Sequence, residues 1–336
     1  MPRAALLYAA LMLLAVRQAD AAFGVQSAGG LVVEGGPEGA RLSRPDGTAV
    51  AVALPAGGEV DGVADVGRSW LLTGTAPAPD GGRRLWLLTD SSGAVREIEP
   101  PAPAAFASQR RPVPLVERAE LVGLAWLEGS AAGGMGVRAA AWENGRWSDA
   151  EWVTRPGPGS QTSLAGVVLG DGSWLLVWSA FDGQDDEVVS ARRVAGSWDR
   201  PRRLARDNRV PDITPAVAAT EDGAVAAWSR YDGHGYSLVR ALWDGRRWRE
   251  LPGWERAGLY PEFQGSAASP ALLFFDARRS AWTALELDGQ GRVRRRAEAA
   301  GPASDEPPLV EIGAAGVRLR APGSKQVFAA GWSSPQ

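Results

Sequence analysis

The chain has 336 residues, a formal net charge of −3, no cysteine and one histidine, His234. Absence of cysteine excludes disulfides, thiol chemistry and a lipid-modified cysteine anchor, and the weak net charge gives no global attraction to nucleic acid or an anionic membrane surface. A lone histidine leaves no material for a zinc site built from several histidines and little for a histidine-based triad, so no metal and no cofactor is expected.

At the amino terminus Arg3 precedes an uncharged, mostly apolar run from Ala4 to Val16, and Arg17 ends it ahead of Ala19, Asp20 and Ala21. A basic start, a short apolar stretch and a small-x-small site make a secretory leader, here residues 1–21. No later stretch offers the roughly 20 apolar residues of a spanning helix. The expectation is a secreted or periplasmic protein without membrane insertion, its residues 22–336 forming a single domain.

The strongest signal beyond the leader is an internal repeat. Asp171–Ser179 reads DGSWLLVWS and Asp222–Ser229 reads DGAVAAWS, which sets Trp178 and Trp228 50 residues apart; Trp126 lies 52 before Trp178. A second tryptophan series, Trp147, Trp198 and Trp248, runs at spacings of 51 and 50, and Trp70 precedes Trp174 by 104, two repeat lengths. A fixed period of this size marks a stacked repeat architecture.

Within each unit, short apolar runs are broken by Gly, Asp and Asn, as in ITPAVAAT, AVAAWSR, YSLVRALWDG and RRWREL. These read as four strands, with Asn144-Gly145 and Asp244-Gly245 supplying tight turns between the third and fourth. A four-stranded sheet buries neither face by itself, so the copies must stack face to face and close into a ring. The predicted fold is all-β, a β-propeller of six or seven four-stranded blades. The recurrent Trp126, Trp178 and Trp228 are then inter-blade packing residues.

The unit's P-x-V-A, D-G-x-x-x-x-x-W and G-x-W-S/D-x-P elements, clearest over residues 115–255, resemble those of the sialidase-like superfamily of bacterial propellers. Its Asp-box survives in degenerate form, as in Asp244, Gly245 and Trp248. The resemblance implies a propeller fold and, as an alternative to a binding role, a carbohydrate-active glycoside hydrolase. In that alternative Tyr260 with Glu262 forms a nucleophile pair and Asp182 or Asp232 provides the acid. The converging arginine trio of that family has no convincing counterpart, so a non-catalytic role is the leading expectation.

Arginine carries little weight singly, because Lys325 is the only lysine among 36 basic residues. The clusters Arg202, Arg203, Arg206 and Arg294, Arg295, Arg296 fall on fourth strands, where charge guards an exposed edge. Tyrosine is scarcer. Tyr8 lies in the leader and the other three, Tyr231, Tyr236 and Tyr260, gather with the lone histidine in SRYDGHGYS and AGLYPEFQG. The first segment is expected to be the loop between a second and third strand, and Tyr260 and Glu262 the connection to the next blade. In a propeller both open on one face. Arg230, Tyr231, Asp232, His234, Tyr236, Tyr260 and Glu262 are therefore the candidate ligand-binding residues, with Asp182, Asp185 and Asp186 in the equivalent loop of the preceding blade and Asp212 beside them. Tyr231-Asp232-Gly233 also matches Phe181-Asp182-Gly183 at a separation of 50, so these triplets double as repeat turns. The expected partner is a glycan or an extracytoplasmic polypeptide.

The leader has a direct check. Expressed with its own amino terminus in a bacterium, the protein should be recovered outside the cytoplasm beginning near Ala22; a mature protein retaining Met1 would refute the reading.

Overall fold

A computed structural model describes residues 23–334, apart from 28–29, 37–38, 92, 105–106, 130–133, 158, 206–208, 232, 253–254, 301–307 and 323. The leader and Asp232 lie outside the described residues. The described residues form strands joined by turns, with no helix long and apolar enough to cross a membrane.

The chain folds as a seven-bladed β-propeller. The blades run from Phe23 to Val52, Glu59 to Ile98, Ser108 to Thr154, Gln161 to Arg203, Asp212 to Arg256, Gly258 to Ala300 and Leu309 to Gly331. Each is an antiparallel sheet in which consecutive strands pair as neighbours. In blades 3, 4 and 5 the outermost strand is broken into two short pieces, such as Ser197–Trp198 and Arg202–Arg203. Blade 7 shows three strands. The expected turn chemistry is present: Asn144 and Gly145 have φ of 52° and 78°, both in the left-handed region that lets a two-residue turn follow the sheet twist.

The core lies between the blades. Strand alternation sends Trp174, Leu176 and Trp178 of blade 4 toward Leu115, Ala125 and Val137 of blade 3. The intervening Leu175 and Val177 meet Trp228, Val239 and Trp243 of blade 5. One strand thus buries both its faces, which is why these segments read as continuous apolar runs. Blade 2 has Gly74 where this strand of blades 3, 4 and 5 carries tryptophan. The Trp86 ring fills the space, so close that a Cβ on Gly74 would fall 2.3 Å from it.

Inner strands of adjacent blades adjoin around the axis. The ring closes through side chains rather than a shared sheet. Gln26 donates to the Val310 carbonyl and accepts from its amide at 2.7 Å, and Arg320 grips Glu34 with two bonds of 2.6 and 2.8 Å.

Trp178 is only 1% exposed. Trp178→Ala should cost about 3–5 kcal/mol, the usual range for deleting a large aromatic from a core. Chemical denaturation of the variant beside the parent checks it, and a loss within the noise would remove the inter-blade wedge from the account.

Candidate functional site at the ring mouth

Because strands alternate in direction, the turn between the second and third strands shares one end of the ring with the connection entering the next inner strand. In blade 5 that turn is closed by Tyr231 and Tyr236, which face each other as a registered cross-strand pair. Their rings are 5.0 Å apart and tilted by 46°, close enough for aromatic cross-strand stabilisation. The two tyrosines end and begin strands; between them Tyr231 Oη donates to the Gly233 carbonyl at 3.1 Å and His234 is exposed.

Tyr260 comes from blade 6. It sits within the inner strand Gly258–Ser266, not in the connection before it. There Tyr260 and Pro261 together oppose one residue of the neighbouring strand, Phe274, as a β-bulge. Its ring packs against the Leu273, Trp282 and Val310 cluster between blades 6 and 7. Burial pushes the Tyr236 phenol above its ordinary ionisation range, and Tyr231 and Tyr260 push it further in the same direction. Tyr231 and Tyr236 are thus in ring contact, and Tyr260 lies near enough to act on the Tyr236 phenol while its own ring packs toward blade 7.

Tyr260 has φ of 53°, a conformation in which a bulky residue is an outlier. The strain belongs to the repeat. Arg111, Ser163 and Thr214 occupy the same bulge in blades 3, 4 and 5 with φ between 51° and 52°, each opposite the blade's central tryptophan. Proline follows at 112, 215 and 261, and a bulge tolerates its missing N–H. Backbone geometry is common to four blades, then, while the side chains it presents near the mouth differ. Arg110 and Arg111 lie in the inner strand of blade 3 and are both exposed. The recurrent x-Pro opening an inner strand was the signal that would have located Arg111.

Beneath the tyrosines, Arg230 is clamped by Asp212. Its Nε and Nη2 donate to the two carboxylate oxygens at 2.7 and 2.8 Å, and both residues are buried. Burial alone would lower the guanidinium's pKa; the Asp212 carboxylate, with Glu250 and Glu187 beyond it, more than offsets this and raises it. Arg230 thus supports the mouth from below. Glu262 accepts a bond from Gln264 at 2.7 Å on the same inner strand.

Across the boundary in blade 4, Asp182 caps its turn by accepting from the amides of Gln184 and Asp185 at 2.8 and 3.3 Å. The Gln184 amide foremost, then that of Asp185 and the charge of Arg203, holds its carboxyl below the usual range. Oxygens of Asp182, Asp185 and Glu187 lie within 4.8 Å of one another, a spacing a cation could bridge. Arg203 already supplies positive charge there, 2.7 Å from Asp182 and 3.5 Å from Glu187. Asp186 is buried at the start of the third strand. Sequence reading had assigned Arg203 only to edge protection and had not singled out Glu187 or Glu250.

No family model matches the chain, and no curated protein matches it. Among solved structures it is similar to an ulvan lyase of polysaccharide lyase family PL25 bound to -[GlcA(1-4)Rha3S]-, with a TM-score of 0.59, 10% identity, and 92% of this chain and 91% of that one covered. A Dyadobacter fermentans protein of unknown function aligns with a TM-score of 0.51 at 11% identity over 84% of this chain and 96% of that chain. A Mycobacterium tuberculosis puromycin-hydrolyzing peptidase aligns at 0.51 and 16% over 81% of this chain, which spans 44% of that protein's length. At such identities the likeness establishes the propeller fold alone.

The tyrosine cluster predicts an alkaline signature. A folded-state pKa raised above the unfolded value means that protonated Tyr236 stabilises the fold below about pH 10, and that this contribution is lost as pH rises through the raised value. Ultraviolet titration of phenolate should show a late-ionising group that Tyr236→Phe removes; an unchanged titration would dissolve the cluster.

Proposed function

We propose that the protein is an exported, non-catalytic binding propeller that holds a glycan at the ring mouth between blades 5 and 6. One observation carries this reading: Tyr231, Tyr236 and Tyr260, the only tyrosines beyond the leader, come together there on strands of two blades. Aromatic rings present a flat apolar body with a polar tip, suited to a sugar's apolar face and hydroxyl edge. The phenol of Tyr236 stays protonated across the neutral range and remains a hydrogen-bond donor. Arg230, locked on Asp212, positions the second strand beneath the rings. His234 lies exposed at the rim. Glycan recognition is also in keeping with the saccharide bound by the ulvan lyase, whose fold is similar.

A hydrolytic role fits the same residues less well. A glycosidase acid needs its pKa raised so that it carries a proton, whereas Asp182 is held ionised by its own turn and by Arg203. Binding without turnover asks nothing of that group.

The test compares a glycan array on the parent with variants at the mouth. Tyr231 is partly exposed at the hairpin end, so Tyr231→Ala should shift stability by only about half a kcal/mol while abolishing retention of whichever glycan the parent binds. Tyr236→Phe should keep most of the binding and the fold. Retention unchanged in Tyr231→Ala, or release of reducing ends from the bound glycan, would overturn the proposal.

A further inference from the structure

A cavity of about 170 Å³ opens on the outer side of the ring between blades 4 and 5, away from the tyrosines. It is smaller than the roughly 300 Å³ at the low end of ordinary ligand pockets, room for one ring-sized group. Its walls carry five arginines and two tryptophans against a single carboxylate, Asp199.

The arginines are not equivalent. Arg192 is paired with Asp171 and Arg203 with Asp182, while Arg247 lies 3.8 Å from Asp244. Arg202 and Arg246 are exposed and have no ion pair among the described residues. The edge triplet of blade 6 has the same mixture, since Arg295 is bound by Glu286 and Arg296 by Glu298 while the exposed Arg294 has no ion pair among the described residues. What sets the edge of blade 4 apart is that its Arg202 meets Arg246 of the next blade, whose charge also acts on Asp244, at one cavity.

The aromatic wall is fixed in place. Trp248 donates its indole N–H to Ser190 Oγ at 2.9 Å across the blade boundary, and its ring lies 5.6 Å from that of Trp243. Trp243 is buried, and its own indole Nε1 has no hydrogen-bond partner among the described residues. The same condition recurs at Trp70, Trp86, Trp198, Trp228 and Trp282, so it belongs to tryptophan packing between blades and not to this cleft. Guanidinium forks match planar or tetrahedral oxyanions, and indoles offer a platform for a ring.

We infer that this cleft binds an anionic sugar unit, a uronate or a sulfated sugar, with its charged group between Arg202 and Arg246 and its ring against the tryptophan wall. An acidic peptide would satisfy the arginines but leave the rings without a counterpart. The site is independent of the mouth.

Calorimetric titration of the intact protein with trigalacturonate, a chondroitin sulfate disaccharide, cellotriose and polyglutamate tests it. At least one of the two anionic saccharides should bind, more weakly as salt rises, and cellotriose should not. Arg202→Gln with Arg246→Gln should weaken that binding by roughly tenfold or more, the scale of losing charge-assisted bonds, with an unchanged melting curve because both side chains are exposed. Tyr231→Ala should leave it intact, which separates this cleft from the mouth. Neither anionic saccharide binding, equal binding of cellotriose, tighter binding of polyglutamate, or an unaltered affinity in the double variant would each overturn the inference. A charge-retaining Arg202→Lys, Arg246→Lys variant should recover part of the loss, and failure to do so while the melting curve holds would also count against it.

Discussion

Everything in this molecule depends on a sheet that is apolar on both sides and therefore cannot exist alone. Trp178 is pressed against blade 3 while Val177, next along the strand, is pressed against blade 5, so a blade is stable only between two others. The ring is the arrangement in which every sheet has two such neighbours. Burial of large apolar side chains at these boundaries supplies the stabilisation, and the polar positions are left to differ from blade to blade.

That division explains where individuality shows. Gln161 accepts the Trp178 indole N–H at 2.6 Å in blade 4. At the matching place in blade 5 stands Asp212, which takes Arg230 instead and leaves the Trp228 indole without a partner among the described residues. In blade 3 a fully buried Glu128 gathers bonds from Trp126, Arg138, Gln109 and the Ala104 amide. Each blade solves the same packing problem with its own polar pairing, and the most distinctive of these pairings lies directly beneath the tyrosines.

The sequence made the repeat legible because three consecutive blades, 3 to 5, bury a tryptophan at one strand position, Trp126, Trp178 and Trp228. The all-β class, the strand order, the turn residues and the outward place of the fourth strands all follow from that periodicity. Blade 1 and blade 7 were only partly legible, since neither carries a tryptophan in its second strand. The gathering of Tyr231, Tyr236 and Tyr260 was visible as scarcity in composition. Their position on strands was not, because a bulge lets the inner strand begin two residues before Tyr260 with no hydrophobic alternation to announce it. The clamp on Arg230 was hidden for another reason: Asp212 and Arg230 are 18 residues apart and meet only through the strand register.

The seam between the first and last blades has a topological consequence. Blades 1 and 7 share no strand, and among the described residues Gln26 with Val310 and Glu34 with Arg320 bridge them. The seam is thus the same kind of boundary as the other six, a side-chain contact between complete sheets. Nothing in the closed ring requires the polypeptide to start at blade 1. A circular permutant that joins Gly331 to Phe23 by a short linker and opens between blades 3 and 4 preserves every sheet, so blade order along the chain is separable from blade order around the axis.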